Sequence, residues 1–277
     1  MAIKLMYVTN RVDVALIAEN SGVDRIFVDM EYIGKDIRQG GMDTLQSKHT
    51  LNDVYNIRNA ISKSELIVRC NPIHSSTDAY TSSEDEINGI VMRGADIVML
   101  PYFKTTEEVK KFLDIVSGRS KTMLLFETPE SVERIDEILS IPGIDMVHIG
   151  INDLSLGYGK KFMFQLLADG TVENICKVFK SKNYRYGFGG IIGVGKGALP
   201  AEKIIAEHYR LGSEFAILSR SFCKPECCKD IEEIREVFET GIPGIRNFEN
   251  ECICGNIDYE KNRLDVVNVV NDIINKN

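Results

Sequence analysis

The chain has 277 residues, of which 44% are hydrophobic and 27% charged, and it carries a net charge of −8. These totals fit a globular protein with one large domain or two small ones and leave no basic footprint for nucleic acid. No apolar run approaches the roughly 18–20 residues of a membrane span, and MAIKLMYVTN lacks the apolar centre of a signal peptide, so a cytoplasmic protein with reduced cysteines is expected.

Strand-like and helix-like runs alternate along most of the chain, the pattern of repeated βα units. Strands are predicted over residues 3–8, 25–29, 65–69, 96–100, 122–126, 145–149, 185–192 and 215–218. Helical spacing falls at 12–20, 51–62, 84–93, 131–140, 171–182, 200–211, 231–238 and 263–274, with a further helix capped by Thr105 or Thr106. Two stretches, 32–50 and 73–83, are long for plain connections, and the first reads as a loop that covers a substrate. Eight strands separated by helices predict a (β/α)8 TIM barrel, which typically takes about 250 residues. Residues 1–240 are expected to form the barrel. Residues 241–277 are expected to form an extension whose helix packs on its own barrel or on a partner subunit. No GxGxxG follows the first strand, so a dinucleotide fold has little support, and no GxSxG elbow appears.

The fifth and sixth strands end in acids, at Glu127 and just before Asp153. Parallel strands bring both to the C-terminal edge of the sheet, where this architecture binds ligands. Converging carboxylates repel unless they share a proton or a cation. An oxygen-ligand ion such as Mg²⁺ or Mn²⁺ suits the pair and leaves positions for substrate and water. The bland alternative is a helix cap for Asp153 and a buried ion pair for Glu127.

Arg69 ends the third strand, where a guanidinium can hold a carboxylate or steady an enolate oxygen. Asp29 and Glu31 end the second strand on one face and can orient Arg69, by a salt bridge, or a metal-bound water. The turn at Gly150, Asn152 and Asp153 offers amides to a carboxylate. The glycine-rich run GFGGIIGVGKG, with Gly189, Gly190 and Lys196, crowds the end of the seventh strand, where barrels often bind phosphate. His49 and His74 lie in the two long loops, where either can serve as a base. His148 lies within a strand and His208 within a helix, positions that favour structural roles. Cys223, Cys227, Cys228, Cys252 and Cys254 lack a common zinc spacing and read as free thiols.

Several segments together resemble the HpcH/HpaI aldolase and citrate lyase family. They are VDRIFVDME, LIVRCNP, GADIVMLPYFKTTEEV and LLFETPESVERIDEILSIPGIDMVHIGINDLSLGYG, with weaker matches at GFGG and LGSEFAILSRSF. The resemblance implies a TIM barrel that binds Mg²⁺ or Mn²⁺ through Glu127 and Asp153. It implies Arg69 on the oxo-acid oxygen and the amides near Asn152 and Asp153 on the carboxylate. Family members cleave or form a carbon–carbon bond next to a 2-oxo acid through a pyruvate enolate, with an aldehyde or a CoA ester as the second partner. They commonly form homo-oligomers, trimers or hexamers that can exchange a C-terminal helix.

One residue departs from the family pattern. Tyr32 stands where many of these aldolases carry a histidine that organises the base, and a tyrosine with a pKa near 10 is a poor base at neutral pH. A metal-bound water, His49 or His74 is then expected to move the proton. Two rivals follow: a lyase of the citryl- or malyl-CoA type, and a non-catalytic protein that binds a 2-oxo acid or phosphoenolpyruvate. A Schiff-base aldolase using Lys196 is a distant further reading.

Overall fold

The computed structural model describes residues 1–35, 49–225 and 230–276. Among these, eight parallel strands close into a barrel in sequence order: β1 (Lys4–Val8), β2 (Arg25–Asp29), β3 (Glu65–Arg69), β4 (Ile97–Leu100), β5 (Lys121–Phe126), β6 (Met146–Ile149), β7 (Arg185–Ile191) and β8 (Phe215–Leu218). All eight predicted strands are present, each end within one residue of its predicted place. The described helices are α1 (Val12–Asn20), α2 (Leu51–Ala60), α3 (Ser83–Met92), α4 (Thr106–Val116), α5 (Pro129–Glu133), α6 (Ile135–Ile138), α7 (Ile151–Gly157), α8 (Gln165–Ala168), α9 (Thr171–Ser181), α10 (Ala201–Leu211), α11 (Ile231–Ile253) and α12 (Tyr259–Lys276). None is long and apolar enough to cross a membrane.

The strands are apolar on both faces because both are covered. Ile26, Val28, Leu66, Val68, Leu124, Phe126, Val147 and Ile149 face the helices in the large outer core. Met6, Phe27, Ile67, Met99, Met123, Leu125, Met146 and Phe215 fill the barrel interior. The lower end of the barrel is plugged by a charge rather than hydrocarbon. Arg25, 1% exposed, places Nε 2.9 Å from Glu65 Oε2 and lies 5.0 Å from the centre of the Phe215 ring. Burial works against the Glu65 charge, but hydrogen bonds from Lys121 and Arg25 outweigh it and lower the carboxyl to about 2. The ligand-accessible end is therefore the other one, at the strand C-termini.

Several helices differ from their predicted extents. The run at 131–140 is two short helices, α5 and α6, separated at Arg134. The last barrel helix does not stop at 238, because α11 continues through Gly241, Pro243 and Gly244 to Ile253. Its buried residues Ile234, Phe238, Ile242, Ile245, Glu249 and Cys252 form one stripe. Glu249 Oε1 accepts from the Ile3 N–H at 2.6 Å, and Arg246 donates to the Ile3 carbonyl at 2.7 Å. Those anchors to β1 hold a helix that its glycines and proline would weaken. The α12 helix packs on α10 of the same chain, with Val266 and Val270 buried and Lys203 Nζ 2.8 Å from Asp265. Cys227 and Cys228 lie outside the described residues. Cys223 and Cys252 are buried and Cys254 is exposed.

Two histidines are fully buried. His208 stacks on Phe188 at 3.8 Å and shares a hydrogen bond of 2.8 Å with Ser213 Oγ. His148 lies parallel to Phe215 at 6.3 Å. Burial pushes each down to about 3, so both rings are neutral in the folded protein. In the unfolded chain they titrate near 6.5, so between these values the unfolded state binds more protons and stability falls as pH falls. The loss begins below about pH 6.5 and reaches roughly 2 kcal/mol per histidine at pH 5. His49, also lowered by burial, adds in the same direction. Urea unfolding at pH 7 and pH 5 should show the drop, and His208→Phe, which preserves the stack, should remove a large part of it. Equal midpoints at both pH values would show that the rings are not held neutral.

Candidate active site

At the end of β2 the alternation of the strand turns Asp29 inward, and the β2–β3 register sets it beside Arg69. Arg69 grips Asp29 with two parallel bonds, Nε to Oδ1 and Nη2 to Oδ2, both 2.8 Å. Its Nη1 is 3.0 Å from Glu31 Oε2. Lys35 Nζ adds a second cation, 3.1 Å from Asp29 Oδ2 and 3.2 Å from Glu31 Oε2. Asp29, Glu31 and Lys35 are each at most 3% exposed. Among the described residues the cluster is thus a quartet of two acids and two bases whose formal charges balance. Burial opposes the Asp29 charge, but Arg69 and Lys35 outweigh it and hold the carboxyl far below the usual carboxylate range. Burial also opposes the Arg69 charge, and Asp29 and Glu31 overcome it.

The chain after β2 is fixed by a clamp. Asn71 Oδ1 accepts from the Tyr32 and Ile33 amides at 2.9 and 3.0 Å. Glu86 in turn accepts from the Asn71 N–H at 2.9 Å and from its Nδ2 at 3.1 Å. This clamp sets the turn that returns Lys35 to the quartet. Glu86 and Lys35 did not stand out in the sequence, and Asn71 did so only within the LIVRCNP segment of the resemblance.

Across the mouth, Glu127 follows β5 and is 3% exposed. Its Oε1 accepts from the Tyr102 N–H at 2.9 Å. Tyr102 adopts φ 49°, a left-handed conformation costly for a tyrosine, directly after Pro101 ends β4. Asp153 lies in the first turn of α7 and is 9% exposed. The turn predicted at 150–153 is therefore the start of a helix, with Gly150 as its N-cap and no side chain capping it. Glu127, Asp153, Arg69 and Lys35 line one cavity of about 580 Å³, together with Gly150, Asn152, Gly189 and Gly190. Phe162, Met163 and Phe164 supply an apolar wall, and Ser219 and Arg220 lie on the β8 side.

The structure thus brings Arg69, Glu127, Asp153, Asn152 and three glycines to one cavity. Asp29 and Glu31 stand behind Arg69 and Lys35 rather than on the wall. His49 is also not on the wall. Its Nδ1 accepts from the Asp29 N–H at 3.0 Å, so it braces β2. His74 turns into its own loop, with ring nitrogens 2.8 Å from the carbonyls of Pro72 and Thr81. Tyr32 lies against Tyr80, 5.6 Å between ring centres, and not in the cavity. Lys196 is likewise off the wall. His148 lines the cavity, although its strand position had suggested a structural role.

The chain matches the sequence model of the HpcH/HpaI aldolase/citrate lyase family over residues 5–164, more than half its length. It belongs to that family. Aldolase- or lyase-type chemistry follows for this HpcH/HpaI protein. An HpcH/HpaI aldolase from Desulfitobacterium hafniense DCB-2 shares the fold, with TM-score 0.58 and 16% identity over 79% of this chain and 86% of that one. An HpcH/HpaI aldolase/citrate lyase family protein from Burkholderia cenocepacia J2315 gives TM-score 0.61 and 13% identity over 84% and 95%. The citrate synthase SbnG gives TM-score 0.58 and 17% identity over 79% and 87%. No curated protein sequence matches the chain.

Proposed function

We propose that this HpcH/HpaI protein is a divalent-metal-dependent carbon–carbon lyase of the aldolase type, acting on a 2-oxo acid through its enolate. One observation carries the reading: two buried carboxylates, Glu127 and Asp153, share a cavity wall with the cations Arg69, partly buried, and Lys35, buried. Two hard oxygen donors beside an open cavity fit Mg²⁺ or Mn²⁺, which keep several positions for water and substrate. A closed zinc site would need more ligands, and no group of three or more His, Cys, Asp or Glu side chains is gathered for a metal among the described residues. Glu127 and Asp153 would hold the ion. When bound, it supplies Lewis-acid stabilisation of the developing enolate charge.

The remaining work falls to the chain. Arg69 spends three of its five N–H groups on Asp29 and Glu31, which leaves two for the oxo-acid and fixes their direction. Because the quartet sets the guanidinium before substrate arrives, no reorganisation is needed as charge develops. The first-turn amides of Asn152 and Asp153 hold the carboxylate. Gly150, Gly189 and Gly190 keep backbone close to substrate without side chains in the way. The Phe162–Phe164 wall keeps water from the reacting carbons.

The test is exchange of pyruvate methyl protons with deuterated water, followed by NMR. Exchange should require Mg²⁺ or Mn²⁺ and fall roughly 100–1000-fold in Glu127→Ala, on the order of what loss of one main electrostatic stabiliser costs. Pyruvate binding without exchange under any divalent metal would overturn the aldolase reading and favour a CoA ester or a binding role.

A further inference from the structure

The cavity has more room than a three-carbon 2-oxo acid needs. Its volume of about 580 Å³ is of the size that takes a drug-sized ligand. Arg69, Glu127 and Asp153 mark its polar end. The space beyond them is walled by two segments, one following β6 and one following β7, and both contribute hydrocarbon. Phe162, Met163 and Phe164 come from the first, and Ile192, Ala198 and Leu199 from the second.

Both walls are built before any ligand arrives. Phe164 is 6% exposed and meets Phe162 edge-on, with ring centres 5.4 Å apart. Gln165 Oε1 accepts from the Phe162 N–H at 2.9 Å, and Leu166 and Leu167 anchor α8 in the core. On the other side Leu199 is buried. The turn before it is tied twice: the Lys196 N–H donates to the Gly193 carbonyl at 3.1 Å, and the Gly195 N–H to Glu202 Oε1 at 2.9 Å. Gly197, at φ 99°, is required there, because a Cβ would lie 2.7 Å from the Leu199 carbonyl oxygen. Walls fixed in this way take ligand hydrocarbon out of water with little ordering cost.

Charge on that side disfavours an ionic tail. Among the described residues lining the cavity, Arg220 is the charged one beyond β7, and it is exposed. Solvent screens a cation in such a place, so a carboxylate paired with it gains little. A carboxylate set between Phe162 and Leu199 would instead lose its hydration with no partner in return.

We propose that the second substrate is an aldehyde with an apolar alkyl or aryl tail, seated between the 162–164 wall and the 192–199 turn. The inference rests on the 2-oxo-acid reading above. In the addition direction C3 of pyruvate loses a proton and bonds to the aldehyde carbon, and the aldehyde oxygen takes up a proton to become a 4-hydroxyl. The 4-hydroxy-2-oxo acid that results holds all the atoms of both reactants, so no oxidant or reductant is needed. The tail enters no bond change; its burial holds the aldehyde carbon against the enolate.

The probes are 4-methylpentanal and 4-oxobutanoate, near-isosteres that differ by an isopropyl group in place of a carboxylate, with acetaldehyde as the tail-less reference. For each, kcat/KM is measured for addition to pyruvate with Mg²⁺ present, and the hydroxy acid is quantified by chromatography. Wild type should favour 4-methylpentanal over both others by roughly tenfold or more, as burial of a branched alkyl group requires. Ile192 is half-buried in the turn. Ile192→Ala and Ile192→Asp should each cost 4-methylpentanal roughly threefold or more beyond what they cost acetaldehyde. A wild-type preference untouched by both variants would put the tail elsewhere and overturn the assignment. A preference for 4-oxobutanoate would overturn it too, and loss of that preference in Arg220→Leu would show an anionic tail on the arginine. Equal rates for the three aldehydes, or addition of none, while pyruvate protons still exchange, would confine the failure to the tail. Absence of exchange itself would instead sink the 2-oxo-acid reading, and this one with it.

Discussion

Arg69→Leu is expected to lose roughly 3–5 kcal/mol of stability, the cost of breaking a buried ion cluster by removing one partner. In the folded protein Arg69 makes both parallel bonds to Asp29 and the 3.0 Å contact to Glu31. Without it, the two buried carboxylates keep Lys35 as their cation among the described residues, and the cluster gains one net negative charge. The linkage has a definite sign. In wild type the depressed Asp29 pKa contributes stability above its unfolded value near 3.9, and that contribution is lost as pH falls toward the folded value. In the variant the folded pKa rises, so protonating Asp29 relieves the cluster. The stability gap between wild type and Arg69→Leu should therefore narrow between pH 7 and pH 4. Adding Asp29→Ala to Arg69→Leu should recover part of the loss, because Glu31 and Lys35 then remain as a balanced pair. Urea unfolding of the four forms gives the coupling energy directly. Pyruvate exchange in Arg69→Leu should also fall roughly 100-fold, since the proposed function gives its two remaining N–H groups to the oxo-acid. A single variant as stable as wild type at pH 7 would show that the quartet is not a coupled unit.

The parts of this site that were legible in sequence are those that periodicity and strand direction determine. Parallel strands put every strand C-terminus at one edge, so Asp29, Arg69, Glu127 and Asp153 converge without any knowledge of loops. Parity along β2 and β3 also places Arg69 within reach of Asp29 and Glu31. Lys35 was not legible, because it follows the strand in a polar stretch with no period, and its return to Asp29 depends on the Asn71–Glu86 clamp. That clamp joins residues 15 apart in sequence across a loop, a pairing no local pattern announces. Parity assigns His148 to the inward face, but only the register with its neighbours sets its depth, and depth decides between packed interior and cavity floor. His49 is the converse case. A loop histidine near the mouth looked like a base, yet its Nδ1 is engaged by the Asp29 amide. The length of α11 was hidden for another reason. Gly241, Pro243 and Gly244 signal a stop locally, whereas the buried stripe and the Glu249 and Arg246 anchors to β1 act over more than 240 residues of sequence.

Gly150→Ala isolates the geometry of Glu127 without touching its chemistry. A Cβ at Gly150 would sit 2.7 Å from both Cβ and Oε2 of Glu127 and 3.3 Å from Leu125 Cδ1. The backbone itself is no obstacle, since Gly150 has φ −81° and ψ 82° and lies outside the left-handed region. The clash must therefore be relieved by moving Glu127 or β6. Glu127 cannot swing freely, because the Tyr102 N–H holds Oε1 and Tyr102 is itself in a left-handed conformation. β6 is paired on both sides, to β5 and β7. A carboxylate displaced by a few tenths of an ångström should weaken Mn²⁺ binding by roughly 10–100-fold, comparable to disturbing the support of a metal ligand. Pyruvate exchange should fall further, because the enolate oxygen and the ion must be placed together. Gly244→Ala is the matched control. It lies in α11 with nothing within 4 Å of the added carbon, and a helical Gly to Ala change typically gains roughly 0.5–1 kcal/mol. Calorimetric Mn²⁺ titration of both variants, alongside urea unfolding, separates the cases. Weakened Mn²⁺ binding in Gly150→Ala with a normal unfolding midpoint would place the ion against Glu127. Unchanged Mn²⁺ affinity would move the ion away from Glu127.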